Sequence, residues 1–434
     1  MKYYLGIDIG ASSGRHIIGY IDNNNVFKTE EIYRFSNGFN ECNNHLIWDI
    51  DKLFIEVKNG IKLCLEKYPQ IESMSIDTWG VDYVLLHNNK TIYPVYAYRD
   101  SRTNDIIDEV HKIISFDRLY EITGSQFQPF NTIYQLYDDF KNDRLKDVTD
   151  FLYIPEYLIY KLTGVKKHEK TIASTSGMLD TRTKEYSSKI IELLGLNKNL
   201  FKKLDTPKAE VGYFLEEVQK EVNGNIKVVL CPMHDTASAV EGMNVNEKSI
   251  YISSGTWSLI GVKTKEPIST NESKLANYSN EYGPDYIRFQ KNIMGLWIIQ
   301  CLAKEMNIGF TEIVEKARTS QYKEIFDVND NCFLDSKNMK NEIINWFKRN
   351  NKELPISDSD ILMTTCSSLA YSYKVAIEEL EKITNTLYEN IVIIGGGAKN
   401  ELINELTRLY TGKEVIAEAI EATAIGNLKT QMEK

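Results

Sequence analysis

Apolar and polar residues follow each other in an order that predicts the same strand–turn–strand unit twice. In the first, the β-favouring run Tyr3–Ile9 precedes the small residues Ala11–Gly14 and a second apolar run, His16–Ile21. The segment "SIYISSGTWSLIGVKT", which begins at Ser249, has the same order. Two such hairpins in separate halves of one chain indicate two related halves, although strand–Gly/Ser–strand segments are common enough to recur by chance.

The remaining pattern predicts helices and strands in both halves. "DKLFIEVKNGIKLCLEKY" and the run that begins "LMTTCSSLAYSYK" have helical periodicity, whereas "IESMSIDTWGVDYVLL" indicates two strands joined by a polar turn. Ile391–Ile394 is a strand that three glycines separate from an amphipathic helix, and we expect the glycines to open that helix. Such mixtures are typical of α/β domains. We place the domain boundary near Gly242–Asn246, which gives domains of residues 1–242 and 243–434.

Length, charge and cysteine usage exclude several classes of protein. The chain has 434 residues, which is too long for one core and favours two domains. Its net charge of −10, without a long basic block, argues against nucleic acid or an anionic membrane as a partner. No signal peptide and no apolar run near the ~20 residues of a membrane span is present. The six scattered cysteines indicate free thiols in a reducing cytoplasm, and the six histidines lack metal-ligand spacing. The sequence leaves the oligomeric state open.

The segment "VVLCPMHDTASAV" (residues 228–240) begins as an apolar run and ends as the start of a helix. At that junction Asp235 has the position of a helix N-cap, which predicts that its side chain accepts a backbone N–H. A carboxylate held there is also suited to take the proton of a hydroxyl group, while the N–H groups of the helix face a phosphate. We therefore expect Asp235 to be a cap and a general base at once, with His234 and Thr236 offering hydrogen bonds to a polyol.

Three turns of small residues could bind phosphate groups. Asp8–Arg15 combines backbone N–H groups, two hydroxyls and a cation, Ser253–Thr256 offers the same without the cation, and Gly395–Gly397 lies before a helix. Plain tight turns are the alternative interpretation of each. Neither a P-loop nor a dinucleotide-binding G-x-G-x-x-G motif occurs, so a P-loop NTPase and a Rossmann oxidoreductase are disfavoured.

The polar turn Asp77–Asp82 could bind a sugar, with Trp79 stacked on the sugar and an aspartate accepting from its hydroxyls. A core tryptophan beside a turn is the alternative. In "KNIMGLWIIQ", Asn292 and Gln300 are eight residues apart, which on a helix would place them two turns apart on nearly one face.

Taken together, the segments resemble the FGGY family of carbohydrate kinases, which have the actin/hexokinase/Hsp70 ATPase fold. The matching stretches are DIGASSGR, SIDTWGVDYVLL, YRDSRT, HDTASAV, YISSGTWSLIGV, KNIMGLWIIQ, IGGGAKN and EATAIGN. They follow the family's order from residue 5 to residue 427. The resemblance implies an α/β fold of two RNase H-like domains flanking a catalytic cleft, with sugar and phosphate on the N-terminal side and nucleotide on the C-terminal side. Family members usually continue well past EATAIGN, so we expect either that the last helix is cut short or that the chain is incomplete.

The resemblance also implies a role for each matching residue. Asp235 is implied as the proton acceptor, and Asp8 as the residue that holds Mg²⁺, directly or through water. Implied sugar contacts are Gly80, His234, Asp235, Thr236 and Asn292. Implied ATP contacts are Ala11, Ser12, Ser13, Gly14, Arg15, Thr256, Gln300 and Gly396.

The reaction that the resemblance implies is phosphorylation of a ketose by ATP at O1, with L-rhamnulose as the substrate and L-fuculose or L-ribulose as the alternatives. An actin- or Hsp70-like ATPase is a rival from another class, but no appended peptide-binding domain is present. A sugar-sensing regulator without activity is a third possibility, against which an intact Asp235 argues.

Overall fold

The computed structural model describes residues 1–334, 336–418 and 421–433, and these residues form two compact units. The first unit contains Met1–Gly242, Thr264–Phe289 and the described residues from Thr423 onward. The second contains Met243–Lys263 and the described residues of Gln290–Ala422. Neither unit is therefore one uninterrupted half of the chain.

The segment up to Gly242 alternates strands with helices. Its strands are β1 (Tyr3–Ile9), β2 (Ser13–Ile21), β3 (Phe27–Ser36), β4 (Phe39–Cys42), β5 (His45–Trp48), β6 (Ile71–Thr78), β7 (Tyr83–His87), β8 (Lys90–Ile92), β9 (Val95–Tyr96), β10 (Asp150–Tyr153), β11 (Leu179–Asp180), β12 (Glu185–Tyr186), β13 (Glu210–Gly212) and β14 (Val228–Val229). Its helices are α1 (Ile50–Lys67), α2 (Ile106–Ile113), α3 (Phe116–Thr123), α4 (Thr132–Lys141), α5 (Ile154–Thr163), α6 (Lys170–Ala173), α7 (Ser188–Leu193), α8 (Glu216–Val222) and α9 (Asp235–Gly242).

The segment after Gly242 again contains both kinds of element. Its strands are β15 (Ser249–Ser254), β16 (Trp257–Thr264), β17 (Ser279–Tyr282), β18 (Ile287–Met294), β19 (Asn390–Ile394) and β20 (Glu414–Ala417). Its helices are α10 (Asn271–Leu275), α11 (Trp297–Met306), α12 (Phe310–Arg318), α13 (Met339–Arg349), α14 (Asp358–Thr384), α15 (Glu401–Thr411) and α16 (Ala422–Met432).

A six-stranded sheet in the order β13-β14-β6-β1-β2-β3 organises the first unit. Strands β1 and β2 form the predicted antiparallel hairpin, and β6 lies parallel to β1 on its other side. The turn is shorter than predicted, because Gly14 already pairs with Ile9 in the ladder. The parallel register sets Asp8 beside Asp77, so two carboxylates of distant segments become neighbours.

The second unit repeats this arrangement, as the two-hairpin pattern predicts. Strand β15 pairs antiparallel with β16, parallel with β19, and β19 pairs parallel with β20. Ile250, Ile252 and Val392 are fully buried, which explains why these strands have long apolar runs. Helices α1 and α14 confirm the two long helical patterns.

Two local predictions are wrong. The glycines after β19 do not open the amphipathic helix: Gly396–Lys399 is a short 3₁₀ helix, and α15 begins only at Glu401 with Asn400 as its cap. Asn292 and Gln300 do not share a helix face, because Asn292 lies in β18 and Gln300 in α11. Gly295, between these elements, has no room for a side chain, because a Cβ there would lie 2.5 Å from the Gly255 carbonyl oxygen.

Among the helices in the described part of the chain, none combines the length and apolar character that crossing a membrane requires.

Candidate functional site

Asp235 is the first residue of α9, and its carboxylate is partly exposed. The first helical hydrogen bond runs from Ser238 N to His234 O at 3.0 Å, which makes His234 the residue before the helix. Oδ1 of Asp235 accepts from Thr236 N at 2.5 Å and from Thr236 Oγ1 at 3.0 Å. The side chain thus accepts a backbone N–H as predicted, but Asp235 is not the cap, because a cap bonds the second or third helical N–H. The side chain stays 31% exposed, so a ligand can reach it.

The segment before Asp235 is attached to strand β6. Thr78 N donates to Met233 O at 2.9 Å, and Cys231 N donates to Ser75 Oγ at 2.9 Å. These bonds continue the pairing of this segment with β6 beyond the short strand β14. They fix the position at which α9 begins.

Buried Glu169 holds the same segment from the other side. Its Oε2 accepts from Thr171 Oγ1 at 2.6 Å and from Met233 N at 3.3 Å, and Thr171 Oγ1 in turn accepts from His234 N at 3.4 Å. Burial raises the pKa of Glu169, while these hydrogen bonds oppose the shift. The sequence offered no signal for Glu169, since an acidic residue in a polar stretch is unremarkable by itself.

Both ring nitrogens of His234 face protein groups. Nε2 lies 3.3 Å from Oδ1 of Asp235, and Nδ1 lies 3.2 Å from both Oε2 of Glu281 and Nη2 of Arg288. Glu281 and Arg288 themselves form an ion pair of 3.0 Å. Neither residue belongs to a motif with an evident chemical role, and sequence reasoning missed both.

Asp8, Asp77 and Asp235 influence one another electrostatically. Arg15 donates twice to Oδ2 of Asp8, from Nε at 2.9 Å and from Nη2 at 2.7 Å. Burial raises the pKa of Asp8 in spite of this arginine, and the negative charge of Asp235 acts in the same direction. Burial also raises the pKa of Asp77 well above its usual range, with Asp8 the next cause.

Helix α16 approaches both β6 and α9. Asn427 Nδ2 donates to Oδ2 of Asp77 at 2.6 Å. At Gly426 a Cβ would lie only 1.8 Å from the Ser238 carbonyl oxygen, so only glycine allows the helix to come this close to α9. Within the EATAIGN segment, these two residues thus have structural roles that the sequence could not assign.

The first predicted phosphate turn lies between β1 and β2. Ser12 is exposed, and Ala11, Ser13 and Arg15 are partly exposed. Gly14 is buried against Phe35, whose ring would lie 2.1 Å from a Cβ at that position. Glycine is therefore needed there for packing, whatever it contacts on a ligand.

Asn37, which sequence reasoning missed, ties this turn to the end of β3. Its Nδ2 donates to Gly10 O at 2.9 Å, and its N–H donates to Ser12 O at 3.0 Å.

At the turn after β6, a strained backbone follows Gly80. Val81 has φ = +68°, which is unusual for a β-branched residue. Asp82 N donates to Gly80 O at 2.9 Å, and Val81 N donates to Thr175 Oγ1 at 3.0 Å. A strained backbone of this kind persists only where the surrounding contacts hold it in place.

The interpretation of Trp79 and Asp82 as a sugar-binding surface is wrong. Trp79 is 6% exposed and its ring contacts that of Trp48, with centroids 4.2 Å apart. Asp82 is fully buried and accepts from both indole N–H groups and from Tyr98 N. Burial raises its pKa to about 6, against these hydrogen bonds. The alternative of a core tryptophan beside a turn is therefore the right one.

In the second unit, the structure brings two predicted nucleotide contacts together. Thr256 Oγ1 donates to Gln300 Oε1 at 3.3 Å. Gly396 is exposed, and a Cβ there would meet Leu296 at an ordinary 3.5 Å. The neighbouring Gly397 instead packs on Ser254, whose Oγ would lie 2.0 Å from a Cβ.

Asn292, in β18, is partly exposed and lies in the second unit. The other predicted sugar contacts, Gly80, His234, Asp235 and Thr236, lie in the first. Their contact with a sugar stays a prediction, and so does contact of the predicted ATP residues with nucleotide.

Two family models match the chain. Residues 3–242 match the N-terminal domain of the FGGY family of carbohydrate kinases, and residues 250–433 match its C-terminal domain. A rhamnulokinase of Oceanobacillus iheyensis is 44% identical over 99% of this chain and 92% of its own length. A rhamnulokinase of Bacillus subtilis is 39% identical over 99% of this chain and 90% of its own length.

Solved structures show the same fold at lower sequence identity. A ligand-bound xylulose kinase from Lactobacillus acidophilus has a TM-score of 0.83 at 15% identity, covering 100% of this chain and 89% of that one. A Plasmodium falciparum glycerol kinase with ADP has a TM-score of 0.79 at 13% identity, covering 99% and 89%. The expected α/β fold of the actin/hexokinase type and the resemblance to the family are both confirmed.

Proposed function

Because the chain belongs to the FGGY family of carbohydrate kinases, we propose that it transfers the γ-phosphate of ATP to O1 of L-rhamnulose. The products are L-rhamnulose 1-phosphate and ADP, and the reaction is a step of L-rhamnose catabolism. The curated relatives that match nearly the whole chain support this substrate.

The observation that carries the reaction type is the geometry of Asp235. Phosphoryl transfer to a hydroxyl needs positioning, charge neutralisation and a group that accepts the hydroxyl proton. Asp235 stands at the first turn of α9, partly exposed, with Oδ1 held by Thr236. Its other oxygen, Oδ2, takes the proton from O1 of the sugar as O1 attacks the γ-phosphorus. The N–H groups of the first turn of α9 favour negative charge beside it.

The remaining residue assignments are proposals with separate support. Residues 1–242 supply the sugar and phosphate side, where Gly80, His234 and Thr236 contact the sugar. Residues 243–434 supply the nucleotide side, where the bonded pair Thr256 and Gln300 and the exposed Gly396 contact ATP. Asn292 is a further sugar contact. Ala11, Ser12, Ser13, Gly14 and Arg15 contact the phosphates, which the exposure of this turn at Ser12 supports.

A magnesium ion fits Asp8 as one carboxylate ligand. Mg²⁺ at phosphate sites keeps several waters and is held by one or two carboxylates together with the phosphates. Both Arg15 donors reach Oδ2 of Asp8, and Asp77 also forms a hydrogen bond with this carboxyl group. When bound, Mg²⁺ neutralises charge on the transferring phosphate.

We place the protein in the cytoplasm. All six cysteines are free thiols, as expected in a reducing compartment. Its partners are then the small molecules ATP and the sugar.

The test is release of ADP by the purified protein with and without L-rhamnulose. We expect turnover to require the sugar, and Asp235→Asn to lower kcat by about 10²–10⁴, the usual contribution of a general base. Asp105→Asn, at an exposed aspartate of the same unit whose side chain makes no capping bond, is the matched control for removal of a carboxylate. ADP release that does not depend on the sugar would contradict the proposed sugar kinase activity. Near-normal turnover of Asp235→Asn would contradict the proposed role of Asp235 as the proton acceptor.

A further inference from the structure

The turn Gly80–Asp82 is closed by a hydrogen bond between residues that are two apart. Asp82 N donates to Gly80 O at 2.9 Å across Val81, whose φ is +68°. This combination is that of a γ-turn with a positive central φ, which is rare and strained. Of the non-glycine residues with a positive φ in the described part of the chain, Val81 alone is β-branched, and the others are Asn, Asp or Lys. Asparagine tolerates this conformation, whereas a β-branched residue adopts it only when other contacts hold it there.

Two buried threonines supply these contacts. Thr132 Oγ1 donates to Val81 O at 2.8 Å, and Thr175 Oγ1 accepts from Val81 N at 3.0 Å. Thr132 is fully buried and Thr175 is 7% exposed. The two threonines are also linked, because Asn131, next to Thr132, donates from Nδ2 to Thr175 O at 3.1 Å. Both backbone polar groups of the strained residue are therefore held by side chains from other segments.

Gln135, in the same helix as Thr132, adds a longer contact. Its Nε2 lies 3.4 Å from Val81 O, and its Oε1 accepts from Arg102 Nη2 at 3.1 Å, which orients the amide. Arg102 is the second arginine of the stretch YRDSRT, to which the sequence alone assigned no role.

The residue that this turn presents is Gly80. It is partly exposed, whereas Val81 and Asp82 are buried. A Cβ at Gly80 would lie 2.8 Å from Thr175 Cγ2, so Gly80 packs on the same threonine that holds Val81 N. Because Gly80 has no side chain, it can hydrogen-bond a sugar hydroxyl only through its backbone. The turn at Val81 sets the direction of that backbone.

We propose that Thr132 and Thr175 are positioning residues for the sugar, because they hold Val81 in the strained turn that directs the backbone of Gly80. This inference rests on the proposed contact of Gly80 with L-rhamnulose. It also gives the strain a function, since strained backbone conformations cluster at sites that bind ligands.

The test is Thr132→Val combined with Thr175→Val, which removes both hydroxyls from side chains of nearly the same shape. We expect Kd for L-rhamnulose, measured by isothermal titration calorimetry, and its KM to rise about tenfold, as the loss of one hydrogen bond does. KM for ATP should stay unchanged. Thr132→Ser retains the hydroxyl and should keep both sugar constants close to those of the wild type.

Thr163→Val is the matched control. Thr163 is another buried threonine of the same unit, whose Oγ1 donates to Ile159 O at 2.8 Å and accepts from Val165 N at 3.1 Å. Its substitution should lower Tm, as the substitution of Thr132 does, but leave Kd for the sugar unchanged. An equal rise of Kd in both cases would show that general destabilisation weakens binding, and the proposal would be wrong.

The variant Val81→Gly separates the strained turn from a merely structural role of the threonines. Glycine adopts positive φ about as readily as negative φ, so the turn should form at position 81 without their help. In this background we expect the double valine substitution to raise KM for the sugar by no more than about threefold. A tenfold rise there, or no rise in the otherwise wild-type protein, would overturn the proposal and leave the proposed function intact. ADP release by the wild type that does not depend on L-rhamnulose would instead refute the proposed function, so the two failures can be told apart.

Discussion

Asn427 donates from its side-chain amide to Oδ2 of Asp77 at 2.6 Å, and both side chains are fully buried. Gln431 Nε2 donates to Oδ1 of Asn427 at 2.8 Å and so orients the amide. Asp77 stands beside Asp8 in the parallel pairing of β6 with β1. A residue 350 positions later in the sequence thus satisfies one oxygen of a carboxyl group beside the proposed phosphate turn.

We expect Asn427→Ala to destabilise the protein by about 1–3 kcal/mol, the cost of leaving a buried polar group without its hydrogen bond. Urea unfolding measures the change. The exposed Asn24, whose replacement by Ala should change stability by no more than about 0.5 kcal/mol, is the matched control. Equal effects of the two substitutions would mean that the bond to Asp77 adds nothing to stability.

Gly426→Ala should destabilise the protein more than Asn427→Ala does. The added Cβ would lie 1.8 Å from Ser238 O and 2.7 Å from Gly242 N, and backbone atoms of a packed helix cannot easily move away. We expect a loss of at least about 3 kcal/mol, the upper part of the range for overpacking, together with a lower kcat because α9 carries Asp235. Thermal unfolding and ADP release measure the two effects. Gly38→Ala, at a position with nothing within 4 Å of a Cβ, should leave both unchanged. A normal Tm for Gly426→Ala would contradict this packing.

The hydrophobic pattern predicted both hairpins, the two long helices and the α/β class, because each is recorded in local periodicity. It failed where contacts with distant segments of the chain determine the local structure. Asn292 does not share a helix with Gln300, because it lies in β18, which is hydrogen-bonded in a sheet to the more distant strand β16. Trp79 is turned into the core by Asp82, which is itself fixed by other segments.

The residues of the candidate site also fall into two groups, those that a sequence motif indicates and those that only the fold brings there. Motifs of small and polar residues made Asp235 and the proposed phosphate turns candidates, since their residue types indicate the chemistry. Arg288 and Glu281 carry no such signal. They matter because the fold places them against His234, and no local pattern encodes that proximity.

Two buried histidines should make the protein sensitive to acid. Burial lowers the pKa of His16 and of His168 to about 4 each, from 6.5. The unfolded chain therefore binds more protons than the folded one between about pH 4 and pH 6.5, so stability present above pH 6.5 is lost as the pH falls. The expected loss is about 3 kcal/mol for each histidine.

The measurement is urea unfolding of wild type and His16→Gln at several values of pH. Raised pKa values such as that of Asp82 act in the opposite direction, so the difference between the two proteins is the quantity to compare. The wild type should lose about 3 kcal/mol more than His16→Gln over this range. His87→Gln, at an exposed histidine, should follow the wild type. Parallel curves for wild type and His16→Gln would show that His16 is protonated as readily in the folded state as in the unfolded one.

Gly396→Leu should raise KM for ATP more than KM for the sugar. The position is exposed, and a Cβ there makes only ordinary contacts with Leu296, so folding should tolerate the side chain while the proposed nucleotide site should not. Gly309→Leu, where a Cβ meets nothing within 4 Å, is the control for a leucine placed on the surface of the same unit. Unchanged ATP kinetics in Gly396→Leu would remove this glycine from the nucleotide site.

The choice of sugar should depend more on stereochemistry than on the terminal carbon. L-Rhamnulose ends in a methyl group at C6, where L-fructose has a hydroxymethyl group. An apolar pocket rejects an added hydroxyl by only about 10², so kcat/KM for L-fructose should lie within about a hundredfold of that for L-rhamnulose.

L-Fuculose differs in the configuration of a chain hydroxyl, which we propose meets hydrogen-bonding groups at Gly80, Thr236 or Asn292. An epimer leaves such groups unpaired, and sites built to bond a hydroxyl discriminate by roughly 10⁴–10⁵. The three values of kcat/KM, measured under one condition, check the order. L-Fuculose equal to or better than L-rhamnulose would exclude L-rhamnulose as the preferred substrate while leaving the carbohydrate kinase activity in place.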